Sequence, residues 1–236
     1  MRDAHLQGPS LVPDGEIQQL VILLHGYGAD GNDLIGLAPL LQRVLPQTAF
    51  FSPHAPDDCE IGFGAGRQWF SLEEFDPMMM RRNPFKMVEV YERLTVAAEE
   101  VLPLLSDYVE KLQTRFNLNA SKTALVGFSQ GTMMSLLFGL RQESALAGIL
   151  GFSGALLGSR NLQETLRSKP PVQLVHGDVD PVVPYAAMSH ATQHLKTANV
   201  PVKTHTCRGL GHGIDDDGLR VGLQFLQDIF TRGALS

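Results

Sequence analysis

Leu125-Val126-Gly127-Phe128-Ser129-Gln130-Gly131-Thr132-Met133-Met134-Ser135-Leu136-Leu137 is the stretch that decides how this chain is read. The apolar run Ala124 to Val126 predicts a buried strand, and Thr132 to Gly139 predicts a helix. Between them Gly127-Phe128-Ser129-Gln130-Gly131 is a full match to G-x-S-x-G. The pattern has a steric origin. A serine on a sharp turn between strand and helix sits in a strained backbone conformation, and its neighbours two residues away on each side must be small because strand and helix nearly touch. The turn also aims backbone N–H groups from the helix N-terminus at the place where an oxyanion would form. Ser129 is therefore a candidate nucleophile, and the N–H of Gln130, the residue after it, a candidate oxyanion donor.

Working outward, Leu20 to Leu24 is a continuous apolar run, as expected for a central strand covered on both faces. A Gly-rich loop follows, His25-Gly26-Tyr27-Gly28-Ala29-Asp30-Gly31, and then a helix is predicted from about Asp33 to Val44. Before that strand, Pro13-Asp14-Gly15 is a turn signal that predicts a peripheral hairpin. Further strands are predicted at Thr48 to Ser52, Leu146 to Gly151, Val172 to His176 and Val202 to Thr206. Helical spacing runs from Met87 to Phe116, with Pro103 forcing a break near Leu102. Helices are also predicted at Tyr185 to Ala198 and Leu219 to Phe230. Strands alternating with helices imply right-handed crossovers and an α/β fold with a mostly parallel central sheet and helices on both faces. The segment from Pro53 to about Lys86 is long, irregular and rich in Pro, Gly and aromatic residues.

Composition bounds the function. The 236 residues suffice for one large domain, spanning 1–236, and the net charge of −6 gives no support for nucleic-acid binding. No apolar run is long enough to cross a bilayer, and the N-terminus lacks a signal pattern, so no integral membrane contact and a cytoplasmic location are expected. Cys59 and Cys207 have no CxxC partner and read as reduced thiols.

A serine hydroxyl needs an adjacent base, usually a histidine held by a carboxylate. In open parallel sheets the site lies beyond the carboxyl ends of the strands, and the candidate residues all fall there. His212 sits between glycines in a loop after a strand and is the candidate base. His205 lies within that strand, and His176 ends another; both read as structural. Asp178 and Asp180 compete for the acid, and spacing alone leaves both open; Asp215 to Asp217 reads as capping of the last helix. Ser153, in Gly151-Phe152-Ser153-Gly154, imitates the elbow but has Ala155 where a glycine would be needed. His190 and His194 are one helical turn apart, a spacing that could hold a metal, yet no third ligand is evident.

Leu24-His25-Gly26-Tyr27-Gly28-Ala29-Asp30, Arg67-Gln68-Trp69-Phe70, Gly127 to Gly131, His176 to Pro184 and Gly211-His212 together resemble the phospholipase/carboxylesterase family of α/β-hydrolases, which includes acyl-protein thioesterases and bacterial carboxylesterases. The pieces run in family order over nearly the whole chain. The resemblance implies Ser129 as nucleophile, Asp180 as acid and His212 as base, with the N–H groups of Tyr27 and Gln130 as the oxyanion hole. It implies hydrolysis of carboxylic esters of short to medium acyl chain, with a small-molecule ester as substrate, no cofactor and no metal. An acyl-protein thioesterase or lysophospholipase acting on an acyl thioester or a lysophospholipid is the alternative within the family. A non-catalytic binding protein on the same scaffold and a metal-dependent hydrolase are alternatives outside it. Members often self-associate through apolar surface near the site, so a homodimer is compatible with the resemblance. Trp69 and Phe70 match the family, and with Phe63 and Met78 they are candidate substrate contacts, because apolar side chains above the site could line an acyl groove.

Overall fold

The computed structural model describes residues 5–60, 66–72 and 84–232. Its strands are β1 (Ser10–Leu11), β2 (Gln19–Leu24), β3 (Thr48–Phe51), β4 (Asp57–Asp58), β5 (Arg67–Gln68), β6 (Thr123–Phe128), β7 (Gly148–Phe152), β8 (Val172–Gly177) and β9 (Val202–Cys207). Seven of them form one sheet in the order β1-β3-β2-β6-β7-β8-β9. All neighbours in it are parallel except β1, which runs antiparallel to β3. β4 and β5 pair separately.

The helices are α1 (Gly31–Ile35), α2 (Ala38–Gln42), α3 (Pro84–Glu99), α4 (Leu102–Phe116), α5 (Gln130–Gly139), α6 (Leu162–Thr165), α7 (Ala186–Thr197) and α8 (Asp216–Arg232). The central strand β2 explains why both faces of the sheet are covered. Successive side chains of a strand point to opposite faces, so an uninterrupted apolar run needs partners on each. Leu20, Ile22 and Leu24 pack in one cluster with Tyr91 and Leu94 of α3, Leu105 of α4 and Met134 of α5. Val21 and Leu23 pack in another with Leu34 of α1, Leu41 of α2 and Leu226 of α8.

The structure departs from the sequence reading in two places. The helix predicted over 33–44 is two short helices, because Pro39 has no N–H to continue the ladder through Gly36 and Leu37. The N-terminal segment does not fold back on β2; β1 instead covers the outer edge of β3 (Ser10 opposite Phe51), which blunts an otherwise exposed edge. The break predicted near Leu102 is present: α3 ends at Glu99 and Pro103 sits in the first turn of α4, where a missing N–H costs nothing. Cys59 and Cys207 are both buried and free. The parallel register brings the carboxyl ends of β2, β6, β8 and β9 to one side of the sheet, with Leu24 opposite Gly127 and Gly177 opposite Cys207. That side carries the site.

Candidate active site

Ser129 joins β6 to α5 with φ +54° and ψ −115°, a conformation that L-residues avoid. The surroundings enforce it. The Ser129 N–H donates to the Phe152 carbonyl at 2.9 Å, and the Thr132 hydroxyl lies 2.8 Å from the carbonyls of both Gly127 and Phe152, tying α5 to β6 and β7. A methyl group on Gly127 would strike the backbone of Gly131 and Thr132; one on Gly131 would strike the Leu24 carbonyl. The glycines therefore permit the close strand–helix approach that holds Ser129 in its turn.

His212, on the loop between β9 and α8, places Nε2 3.0 Å from Ser129 Oγ and Nδ1 2.8 Å from Asp180 Oδ2. An ionised carboxylate only accepts, so Nδ1 carries the hydrogen and the Nε2 lone pair faces the serine hydroxyl. Asp180 is buried, and its other oxygen, Oδ1, accepts from the N–H groups of Val182 (2.8 Å) and Val183 (2.9 Å). Burial opposes ionisation of this carboxyl, but hydrogen bonds from His176, His212 and the Val182 N–H outweigh it and hold its pKa well below the usual carboxylate range. His176 is pinned in turn, with Nε2 2.9 Å from the Val183 carbonyl and 3.3 Å from Asp180 Oδ2. The Phe128 ring lies 4.9 Å from the His212 ring, flanking the imidazole. The arrangement can remove a proton from Ser129 and stabilise the resulting imidazolium.

A model of the phospholipase/carboxylesterase family matches residues 11–230. The chain belongs to that family. Among curated proteins, esterase YpfH of Escherichia coli K12 is 28% identical over 224 residues, covering 91% of this chain and 84% of its own length. Acyl-protein thioesterase 1 of Gibberella zeae is 29% identical over 204 residues, covering 81% of this chain and 82% of its own. The crystal structure of esterase PE8 superposes with a TM-score of 0.85 at 36% identity, covering 96% of this chain and all of that one. The chain is thus a hydrolase of the α/β-hydrolase fold.

Within this phospholipase/carboxylesterase fold the other sequence candidates separate cleanly in space. Asp178 is exposed, and its Oδ1 accepts the Gly209 N–H at 2.6 Å. Asp215 caps α8 by accepting the Gly218 N–H at 2.8 Å, and His205 Nε2 is 2.6 Å from Asp217. Ser153 also has a positive φ, +46°, but no helix starts at the residue after it; the next one begins at Leu162. Tyr27 lies half-buried in the loop after β2, and Gln130 is buried as the first residue of α5. The His190 and His194 ring centres lie 4.4 Å apart with the planes tilted by 45°. Among the described residues no third ligand joins them; the one group of three spaced for a metal ion is His205, Cys207 and Asp217.

Of the candidate substrate contacts, Trp69 and Phe70 are closed off from solvent inside the core, and Phe63 and Met78 lie outside the described residues. Sequence reasoning missed what His25 does. Fully buried, it accepts the Ala55 N–H at Nε2 (3.0 Å), so Nδ1 carries the hydrogen and donates to the Gly26 carbonyl at 2.7 Å. Burial lowers its pKa to about 4, despite the Gly26 bond and Asp30 acting the other way, so it stays neutral. Its partners are backbone atoms, and no side-chain pattern could have announced them.

Proposed function

We propose that this chain is a serine carboxylesterase whose triad is Ser129, His212 and Asp180. One observation carries the reading: an unbroken Ser129–His212–Asp180 hydrogen-bond chain of 3.0 and 2.8 Å whose serine stands on a strained elbow at the head of a helix. His212 Nε2 takes the Ser129 proton as Oγ attacks the substrate carbonyl carbon. The N–H groups of Tyr27 and Gln130 receive the developing oxyanion. His212 then gives the proton to the leaving alcohol, and the acyl group stays on Ser129. A water deprotonated by His212 releases it as the carboxylic acid and restores the serine.

The substrate is a carboxylic ester of short to medium acyl chain. Two exposed valines, Val179 and Val182, flank the buried acid and support an apolar approach to the site. Phe63 and Met78 are proposed as acyl contacts on their sequence alone, with Trp69 and Phe70 forming the wall behind the site. A thioester reading is favoured by one specific finding, the relatives named acyl-protein thioesterase 1, and uses the same chemistry.

The test is hydrolysis of p-nitrophenyl butyrate by the wild type and by Ser129→Ala. Turnover in the wild type that vanishes in the variant is the expected result. Equal turnover in both would end the Ser129 assignment, and an inert wild type would favour a binding protein.

A further inference from the structure

The Gln130 side chain has a position that nothing in the triad requires. It is buried, and its amide pairs with the backbone of a segment 60 residues away: Oε1 accepts the Trp69 N–H at 2.8 Å, and Nε2 donates to the Phe70 carbonyl at 2.7 Å. A primary amide presents an acceptor and a donor side by side, so it docks on a peptide as a neighbouring strand would. The same segment is fastened at its other end to the loop after β2. The Gly28 N–H donates to the Arg67 carbonyl at 2.9 Å, and the Arg67 N–H donates to the Ala29 carbonyl at 2.7 Å. Gly66 comes so close to Gly28 that a side chain at 66 would overlap its carbonyl. Trp69 Nε1 adds a third tie, donating to the His25 carbonyl at 2.9 Å.

Segment 66–70 is therefore a strap. One end is clipped to Gly28 and Ala29, directly after Tyr27, the other to the side chain of Gln130. These are the two residues whose N–H groups form the proposed oxyanion hole. We infer that the Gln130 side chain is a positioning residue: by gripping the strap, it fixes the distance between the two halves of the oxyanion hole. The inference rests on the serine-esterase reading above and assigns the side chain a role separate from that of its own backbone N–H. Two donors on different loops stabilise an oxyanion only if their separation matches it, and a misplacement on the order of 1 Å can cost about a hundredfold in rate.

The experiment compares wild type, Gln130→Met and Gln130→Glu, with Ser129→Ala as control. Each is assayed for p-nitrophenyl butyrate turnover and for inhibition by an alkyl trifluoromethyl ketone. In that probe Ser129 Oγ bonds to the ketone carbon, the carbonyl electron pair moves to oxygen and the serine proton passes to His212, leaving an oxyanion in the hole. Gln130→Met keeps the length of the side chain but makes neither hydrogen bond. Its kcat should fall about tenfold or more with KM nearly unchanged, and ketone affinity should fall in parallel. Gln130→Glu supplies a second readout that survives poor folding of the methionine variant. Its carboxylate can accept from Trp69 but opposes the Phe70 carbonyl; once protonated it restores both bonds. Its activity relative to wild type should rise as pH falls from about 8 to about 5.5, since burial raises a carboxyl pKa.

Unchanged kcat and ketone affinity in Gln130→Met, or a pH-independent ratio in Gln130→Glu, would overturn the inference and leave the triad intact. Wild-type turnover that persists in Ser129→Ala would overturn the esterase reading and the inference together.

Discussion

The Cα of Gly131 faces the carbonyl oxygen of Leu24 so closely that a methyl group on residue 131 would overlap that oxygen. The contact joins the first turn of α5 to the end of β2, and so sets Ser129 beside the loop that carries Tyr27. Gly131→Ala should destabilise the protein by about 2 kcal/mol or more, because backbone cannot yield as a flexible side chain can. Urea unfolding would show it. The same shift should lower turnover in whatever protein remains folded.

Strain at Ser129 makes a prediction of opposite sign. Alanine at 129 keeps φ near +54° with a Cβ still attached, whereas glycine adopts that region freely. Ser129→Gly should therefore be inactive yet more stable than Ser129→Ala by on the order of 1 kcal/mol. Thermal melts of the two variants decide it; equal midpoints would mean that the elbow stores no strain.

The competing acids can be separated by a pair of conservative changes. Asp180→Asn should reduce kcat by about a thousandfold or more, since an amide nitrogen facing His212 favours the wrong tautomer. Asp178→Asn should leave kcat within a few-fold, because Asp178 Oδ1 holds only the Gly209 N–H. The reverse ranking would reassign the acid.

Acid stability should fall in two stages. His25 is neutral in the folded protein, its pKa lowered to about 4 from 6.5, so between those values the unfolded chain binds the extra proton. Stability is then lost as pH falls across that window, on the order of 3 kcal/mol in full. Asp180 acts lower: its carboxyl is held below the usual range, so its contribution is present above about pH 4 and disappears as pH drops further. Urea unfolding against pH should show the upper stage flattened in His25→Gln and kept in Asp180→Asn.

Much of this was legible in the chain because it is local. The apolar run at Leu20 to Leu24 can be a strand only if both faces are covered, and the G-x-S-x-G spacing needs no partner to be recognised. The proline breaks at Pro39 and Pro103 follow one rule, yet only the second was anticipated, because Asp33 to Val44 keeps helical spacing across the gap. What stayed hidden depends on backbone partners far along the chain. The neutral state of His25 comes from its burial and its tautomer from Ala55 and Gly26, and the grip of Gln130 falls on Trp69 and Phe70. Trp69 reads as a substrate contact in sequence because it is one of several aromatics in an irregular segment and, with Phe70, matches the family; its indole N–H and its full burial show how it also ties down the His25 loop.

The most direct measurement is intact-protein and peptide mass spectrometry after treatment with an alkyl fluorophosphonate, which reacts with serines activated by a neighbouring base. One adduct per chain, mapped to Ser129, absent in Ser129→Ala and strongly slowed in His212→Ala, is the result expected. Labelling at another residue, or labelling of Ser129 that proceeds equally fast without His212, would contradict the account.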